Sequence, residues 1–328
     1  MFLDLITKET FYSALTAETK SWQAKYLAMY STQWKGFVID PALMLIPADD
    51  HLVHRGDGVF DVMRCLENRI YQLEAHLKRL DTSAAAISLV PPAEYAEIGD
   101  IIKTLIRRAG EKDCLIRVTL SRGPGGYTTN PFECPASQLY VNILRHPVYP
   151  DHYFNEGIPI ITSQIPTKRS FFATIKSCNY LQNVLMKMEA VKAGCQYAVG
   201  LDDLGNLAEG STENIGIVTR EGILKFPEFE TTLAGVTVQR ALELAKGLVA
   251  EGLLKEARFD KIPLHEAYGA AEMFLTGTSF SVLPVVRHDG RTIGEGKPGP
   301  VARSLLGLLE ADARENSNLT TEVGTEPG

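Results

Sequence analysis

The sequence predicts a mixed α/β fold divided into two domains, and three observations carry that expectation. Strand-like and helix-like apolar periodicities alternate along most of the chain. Near the middle, His146-Pro147-Val148-Tyr149-Pro150-Asp151 has two prolines and no periodicity, which marks a break between domains. The 328 residues suffice for two buried cores, and 45% hydrophobic with 22% charged residues is ordinary for a globular protein.

The elements follow in order. Residues 1–35 carry Phe11, Leu15, Trp22, Tyr26, Met29 and Trp34 at spacings near three and four, which predicts an N-terminal arm of one or two amphipathic helices. Residues 36–145 form a smaller α/β domain, with strand character at 37–39, 69–73, 114–120 and 138–144 and helical spacing at 73–87 and 97–109. Gly123-Pro124-Gly125-Gly126 lacks the spacing of a phosphate-binding loop and opens no helix, so it reads as a connecting loop. Residues 146–156 are the linker. A larger second α/β domain spans 157–312, with strands at 158–161, 197–201, 215–218 and 273–276 and helices at 181–192, 238–250 and 301–309. The polar stretch 313–328, with scattered acids, Gly and Pro, is expected to be disordered.

Charge narrows the partners. A net charge of -7 and a pI near 5.6 argue against nucleic acid, for which Lys168-Arg169 is too short a basic cluster. Five cysteines at wide, irregular spacing form no C-x-x-C pair and read as free thiols of a reducing compartment. No segment has the apolar length to span a bilayer, and Met1-Phe2-Leu3-Asp4 lacks a signal peptide's basic start, so the expectation is a cytoplasmic protein without a membrane partner. The seven histidines have no metal-ligand spacing and no Ser/His/Asp order suggests a hydrolase, so no metal centre is expected.

The chemistry-bearing residues are Lys176, in Ile175-Lys176-Ser177-Cys178-Asn179-Tyr180, and Glu209, 33 positions on in Glu209-Gly210-Ser211-Thr212-Glu213-Asn214. An amine that can condense with an aldehyde and a carboxylate that can keep a pyridinium nitrogen protonated are the two protein groups that pyridoxal phosphate chemistry needs most. Lysine also serves as a proton carrier once it is neutral, so Lys176 is expected to be partly desolvated. Three further blocks frame the pair: His54-Arg55-Gly56-Asp57-Gly58-Val59-Phe60-Asp61-Val62-Met63-Arg64 with Leu73-Glu74-Ala75-His76-Leu77-Lys78-Arg79-Leu80, then Leu233-Ala234-Gly235-Val236-Thr237, then Glu272-Met273-Phe274-Leu275-Thr276-Gly277-Thr278-Ser279. Gly235-Val236-Thr237 leads directly into a helical stretch, where backbone amides and a hydroxyl favour an anion.

In this order, over residues 37–310, the blocks resemble the class IV (fold type IV) pyridoxal-phosphate enzymes: branched-chain aminotransferases, D-amino-acid aminotransferases and aminodeoxychorismate lyases. The resemblance implies pyridoxal 5'-phosphate joined to Lys176, its ring nitrogen on Glu209 in preference to Glu213, and its phenolic oxygen near Tyr180. It implies a phosphate site from Arg79, Thr212, Val236, Thr237 and Thr278, and a homodimer whose partner borders the site. Phe60, Val62, Arg64 and Ser279 would border the substrate, with Arg55 and Arg117 as guanidinium forks for its carboxylate.

Departures rank the members. Branched-chain enzymes read K-x-G-G-N-Y, whereas Lys176-Ser177-Cys178-Asn179 is similar to the Lys-Ser-x-Asn of D-amino-acid enzymes. The R-x-H carboxylate trap of that group is replaced by Tyr127-Thr128-Thr129. Ser121-Arg122-Gly123-Pro124-Gly125-Gly126 is similar to the lyase, but Tyr127 and Val62 stand where the lyase has arginine and threonine. The expectation is therefore an aminotransferase acting on an amino acid and a 2-oxo acid, D-amino acids favoured over branched-chain L-amino acids. The alternatives are aminodeoxychorismate lyase and a non-catalytic pyridoxal-phosphate-binding protein.

Overall fold

A computed structural model describes residues 4–18, 20–168 and 170–325, so the first three residues, Thr19, Arg169 of the short basic cluster and the last three residues of the tail lie outside it. The first domain is built on β1 (Tyr26–Ser31), β2 (Gly36–Val38), β3 (Gly58–Leu66), β4 (Arg69–Tyr71), β5 (Cys114–Ser121) and β6 (Gln138–Arg145). They lie in the order β4-β3-β5-β6-β1-β2, every neighbour antiparallel. The β3–β5 register runs unbroken from Gly58↔Ser121 to Cys65↔Cys114. Period-two alternation sends Val59, Met63 and Cys65 to the face covered by helices Leu73–Ala86 and Ile98–Ala109, where they meet Leu80, Ile102 and Ile106. Phe60, Val62 and Arg64 take the opposite face.

The second domain follows with β7 (Ile158–Thr162), β8 (Tyr197–Leu201), β9 (Leu207–Gly210), β10 (Asn214–Val218), β11 (Ile223–Pro227), β12 (Glu256–Asp260), β13 (Glu272–Gly277), β14 (Ser281–His288) and β15 (Arg291–Thr292). The order is β12-β11-β10-β13-β14-β7-β8-β9, with β15 beside β14. Because β9 also pairs with β10, through Glu209↔Asn214, strands β10-β13-β14-β7-β8-β9 close on themselves and leave no edge there. Helices Val236–Ala250 and Pro300–Glu315 cover one side, burying Ala241, Ala245, Leu305 and Leu309 against Phe226 and Phe274. Five of these strands carry no clear period in the sequence. Buried on both faces, β14 contains Pro284, and β12 is a charged edge strand.

Two sequence expectations are corrected. Among the described residues, the arm 1–35 is helical only at Lys8–Thr16 and in the short turn Ser21–Lys25, while 26–31 is β1, held between β6 and β2. Tyr-Leu-Ala-Met-Tyr-Ser fits a helical period locally, but pairing on both sides satisfies its backbone as a strand. Nor do the described residues of the expected disordered tail 313–328, residues 313–325, lack structure. The helix runs to Glu315, and β16 (Thr320–Glu322) adds a seventh strand to the first sheet beside β4, with Gln72 N–H donating to the Leu319 carbonyl at 2.7 Å and Val323 buried. Main-chain hydrogen bonds, which composition does not reveal, anchor it. The linker 146–156 holds a short helix, Asp151–Asn155.

The last helix also ties the domains together. Arg64 pairs with Glu310 at 2.6 Å, Arg69 donates to the Arg314 carbonyl at 2.6 Å, and the Tyr71 hydroxyl donates to Asp312. Among the described residues no helix is long and apolar enough to cross a membrane.

Candidate active site

Lys176 is positioned by its own backbone. β4 flanks β3 only at Cys65 and Leu66, which leaves that edge open at Gly58–Phe60, and residues 176–178 fill it. Phe60 N–H donates to the Lys176 carbonyl at 2.9 Å and Cys178 N–H to the Gly58 carbonyl at 2.8 Å, while Lys176 N–H donates to the buried Ser83 hydroxyl at 3.2 Å. A side chain on so fixed a backbone has a defined reach. Its Nζ lies 5.0 Å from the centre of the Phe60 ring, over which Arg117 also sits at 3.9 Å. Tyr180 meets the same ring edge-on at 5.2 Å.

The amine shares a cleft with Glu209, Tyr180, Asn183, Thr212, Asn214 and Leu233. Burial, followed by the charge of Arg79, drives Lys176 down from 10.5 to about 8, with Asp61 and Glu209 pulling the other way. Burial pushes Glu209 up from 4.5 to about 7, opposed by the Leu233 N–H it accepts at 3.0 Å and by Lys176 and Lys168. The rival acid is differently engaged: buried Glu213 accepts the Thr212 N–H at 3.0 Å, the Thr212 hydroxyl and the Ser211 hydroxyl at 3.4 Å. Glu213 therefore braces its own turn. Burial also raises the Tyr180 phenol, which stays protonated.

Arg79 is oriented by a buried carboxylate. Its Nε and Nη2 donate to Asp61 at 2.7 and 2.8 Å, His76 Nδ1 lies 2.7 Å from the same acid, and Nη1 donates to the Ala234 carbonyl at 3.3 Å. Burial alone would raise Asp61, but Arg79 and His76 outweigh it and hold the carboxyl well below its ordinary value. Arg79 is thus set beside Gly235, the residue preceding helix Val236–Ala250, where the first amides of Val236 and Thr237 lack intrahelical acceptors. A Cβ on Gly235 would stand 1.9 Å from Asn214 Oδ1, so the loop can lie this close to Asn214 only without a side chain. Asn214 in turn donates to the Leu233 carbonyl at 3.1 Å and faces Thr276 across β10–β13.

Ser279 shares a 2.8 Å hydrogen bond with the Tyr149 hydroxyl, next to the partly buried Thr278. Both follow β13, and Ser279 stands at the rim of a neighbouring cavity of about 390 Å³, walled by Tyr149, Val184, Lys187, Tyr197 and Phe280 and sharing Tyr180, Asn183, Thr212 and Glu213 with the cleft. On the first sheet, Val62 lies opposite Arg117 in register, beside Phe60. Two other residues from the sequence reading stand elsewhere. Arg64 is engaged with Glu310, and exposed Arg55 donates to the carbonyls of Tyr127 and, at 3.3 Å, Thr128. Arg55 thereby holds the loop that follows Gly126.

Sequence reasoning missed Asp61, His76, Ser83, Asn183 and Lys168. An aspartate amid an apolar strand was a readable signal, because a buried carboxylate needs a partner. Lys168, whose Nζ is 5.0 Å from the Tyr180 ring centre and 3.5 Å from the Ser177 hydroxyl, stands in no motif.

The residues present fit a phosphorylated pyridine aldehyde. The cleft joins a largely desolvated amine to an acid, a helix start crowded by Asn214 stands beside an arginine, and two buried polar atoms, Asn183 Oδ1 and Thr276 Oγ1, lack hydrogen-bond partners.

Comparison with known proteins agrees. The model of the family described as amino-transferase class IV matches residues 58–288. A chloroplastic D-amino-acid transaminase of Arabidopsis thaliana is 37% identical over 296 residues, 88% of this chain and 77% of that protein. A putative branched-chain-amino-acid aminotransferase of Methanocaldococcus jannaschii is 31% identical over 82% of this chain and 92% of its own. Among solved structures, a T.th. branched-chain amino acid aminotransferase with pyridoxamine 5'-phosphate superposes with a TM-score of 0.84 at 29% identity, over 92% of this chain and 99% of that one.

Proposed function

The chain belongs to the class IV aminotransferases and uses pyridoxal 5'-phosphate, and on that premise we propose that it exchanges the amino group of a D-amino acid for the oxo group of a 2-oxo acid at the Lys176–Glu209 cleft. The observation that carries the site assignment is the pairing, in one cleft beside the Phe60 ring, of an amine lowered to about 8 with a partly buried acid raised to about 7. The preference for D-amino acids is supported by Lys176-Ser177-Cys178-Asn179 and by the relative of that name.

When bound, the cofactor supplies an aldehyde for amines and a ring that takes up the electron pair left when the substrate α-carbon loses its proton. The chain's own groups do the rest. Glu209 would hold the ring nitrogen, and Arg79, Thr212, Val236, Thr237 and Thr278 would hold the phosphate, Arg79 steadied by Asp61. Tyr180 would donate to the phenolic oxygen. Lys176 Nζ, about a tenth neutral at pH 7 given a value near 8, is placed to take the α-carbon proton and give it back. Arg117 supplies a cation for the substrate carboxylate beside Phe60 and Val62, and Ser279 closes the opposite rim. We take the working unit to be a homodimer whose partner borders this site.

A branched-chain L-amino acid is the second reading. It is favoured by the aromatic and apolar side of the 390 Å³ cavity, Tyr149, Val184, Tyr197 and Phe280, which suits an apolar side chain, with Lys187 and Glu213 on its polar side. The deciding assay supplies purified protein with a panel of D- and L-amino acids plus 2-oxoglutarate or pyruvate, and separately with aminodeoxychorismate. D-alanine or another D-amino acid is expected to react fastest. Faster turnover of L-leucine overturns that preference, pyruvate release from aminodeoxychorismate overturns transamination, and turnover by Lys176→Ala overturns the site itself.

A further inference from the structure

The cleft that holds Lys176 and Glu209 is lined by a second lysine, Lys168, which belongs to no motif. Its neighbours fix where it stands. The Pro166 carbonyl accepts Gln182 Nε2 at 3.2 Å, and the Thr167 hydroxyl donates to the Leu201 carbonyl at 2.9 Å. A Cβ on Gly200 would lie 2.1 Å from Thr167 Cγ2, so β8 admits Thr167 only because position 200 has no side chain. Residue 168 is thereby cast into the cleft.

There its amine is drawn out of water with no acid against it. Burial lowers Lys168 from its ordinary 10.5, and the group that most opposes this is Glu209, ahead of Cys178. Among the described residues its Nζ forms no ion pair; it lies 5.0 Å from the centre of the Tyr180 ring and 3.5 Å from the Ser177 hydroxyl. Lys168 also borders a second cavity, of about 120 Å³, which has Asp202, Glu228 and Asp260 on its wall and leaves the ammonium a hydrated side. The influence on Glu209 is mutual. Burial and, more weakly, Glu213 raise that acid to about 7, against the Leu233 N–H, Lys176 and Lys168.

The two lysines differ in how constant their charge is. Lys176 can take a proton from the substrate only while it is neutral, so its charge is missing when the ring has to accept electrons. Of the two lysines that draw Glu209 down, only Lys168 is then charged. Without it, the acid would keep its own proton instead of holding one on the ring nitrogen. We propose that Lys168 is a positioning residue for Glu209: from its fixed seat on the face of Tyr180 it keeps the acid a carboxylate through both half-reactions, and so keeps the ring nitrogen protonated. This rests on the Lys176–Glu209 cleft being the transaminase site.

The test follows two signals in the full-length wild type, Lys168→Met and Lys168→Arg. In the cofactor-loaded protein, nitrogen-15 in the pyridine ring reports its protonation by NMR, and the signal is expected in the protonated range for wild type and Lys168→Arg at pH 7 and displaced toward the unprotonated range in Lys168→Met. In the cofactor-free protein, the infrared band of a protonated carboxyl, assigned to Glu209 by its loss in Glu209→Gln, is expected to titrate near pH 7, to move to higher pH in Lys168→Met and to stay in place in Lys168→Arg. In Lys168→Met, kcat should fall about tenfold with a smaller change in KM. Either signal unmoved in Lys168→Met, or moved as far in Lys168→Arg, overturns the proposal. Where Lys168→Met fails to fold by circular dichroism, Lys168→Gln takes its place under the same criteria. A ring-nitrogen signal that Glu209→Gln leaves unmoved overturns the site reading itself, while the infrared titration, which needs neither cofactor nor turnover, still judges Lys168 separately.

Discussion

Lys176 is partly buried and desolvated beside Arg79, and the consequence can be measured without turnover. With its value near 8, about one amine in ten is neutral at pH 7, against about one in 3,000 for a lysine left at 10.5, a gain of about 300-fold and a charging cost of about 3 kcal/mol. Cofactor-free protein is exposed to pyridoxal, which lacks the phosphate, across a pH series. The adduct is then reduced with borohydride and located by peptide mass. Adduct formation at position 176 should rise with pH, reach half its plateau near pH 8, and outpace every surface lysine at neutral pH. Glu209→Gln should move the half-point down, because the lost negative charge had favoured the ammonium. A half-point near 10.5, or an upward move in Glu209→Gln, would refute the reasoning.

Asp61→Asn removes the charge that Arg79 and His76 share, leaving a buried guanidinium without its counter-ion at an expected cost of about 3–5 kcal/mol in urea unfolding. The sign with pH is fixed by the folded carboxyl lying below its ordinary 3.8: the gap between wild type and variant is complete above that pH and narrows as the pH falls from there toward the folded carboxyl's lower value, because the unfolded chain takes up the proton first. A gap that persists undiminished below pH 3 sinks the assignment. Arg117→Ala, which removes the cation over Phe60, should raise KM for amino acids about tenfold to a hundredfold with a smaller change in kcat, whereas Arg55→Ala should act more weakly, through the carbonyls of Tyr127 and Thr128. Steady-state kinetics decide, and unchanged KM in both variants eliminates the carboxylate role.

The amine and the acid were legible because their surroundings in the chain are distinctive, and β5 and β6 were legible because 114–120 and 138–144 are strand-like apolar runs. What escaped is whatever depends on contact across elements. Residues 26–31 fit a helical period, and only β6 and β2 on either side make them a strand. Arg64 stands in a motif beside Phe60 and Val62, yet the approach of Glu310, 246 positions away, draws it into the joint between domains. Arg79 is the clearest case. The resemblance implied a residue that waits for phosphate, whereas in the folded chain two of its nitrogens are already held by Asp61 and a third by the Ala234 carbonyl. An arginine held in this way cannot swing toward an arriving anion. On the proposed assignment the anion would have to come to where β3 and the Leu73–Ala86 helix have set the guanidinium, beside the first amides of Val236 and Thr237, and the phosphate position would then depend on Asp61, which need not touch it.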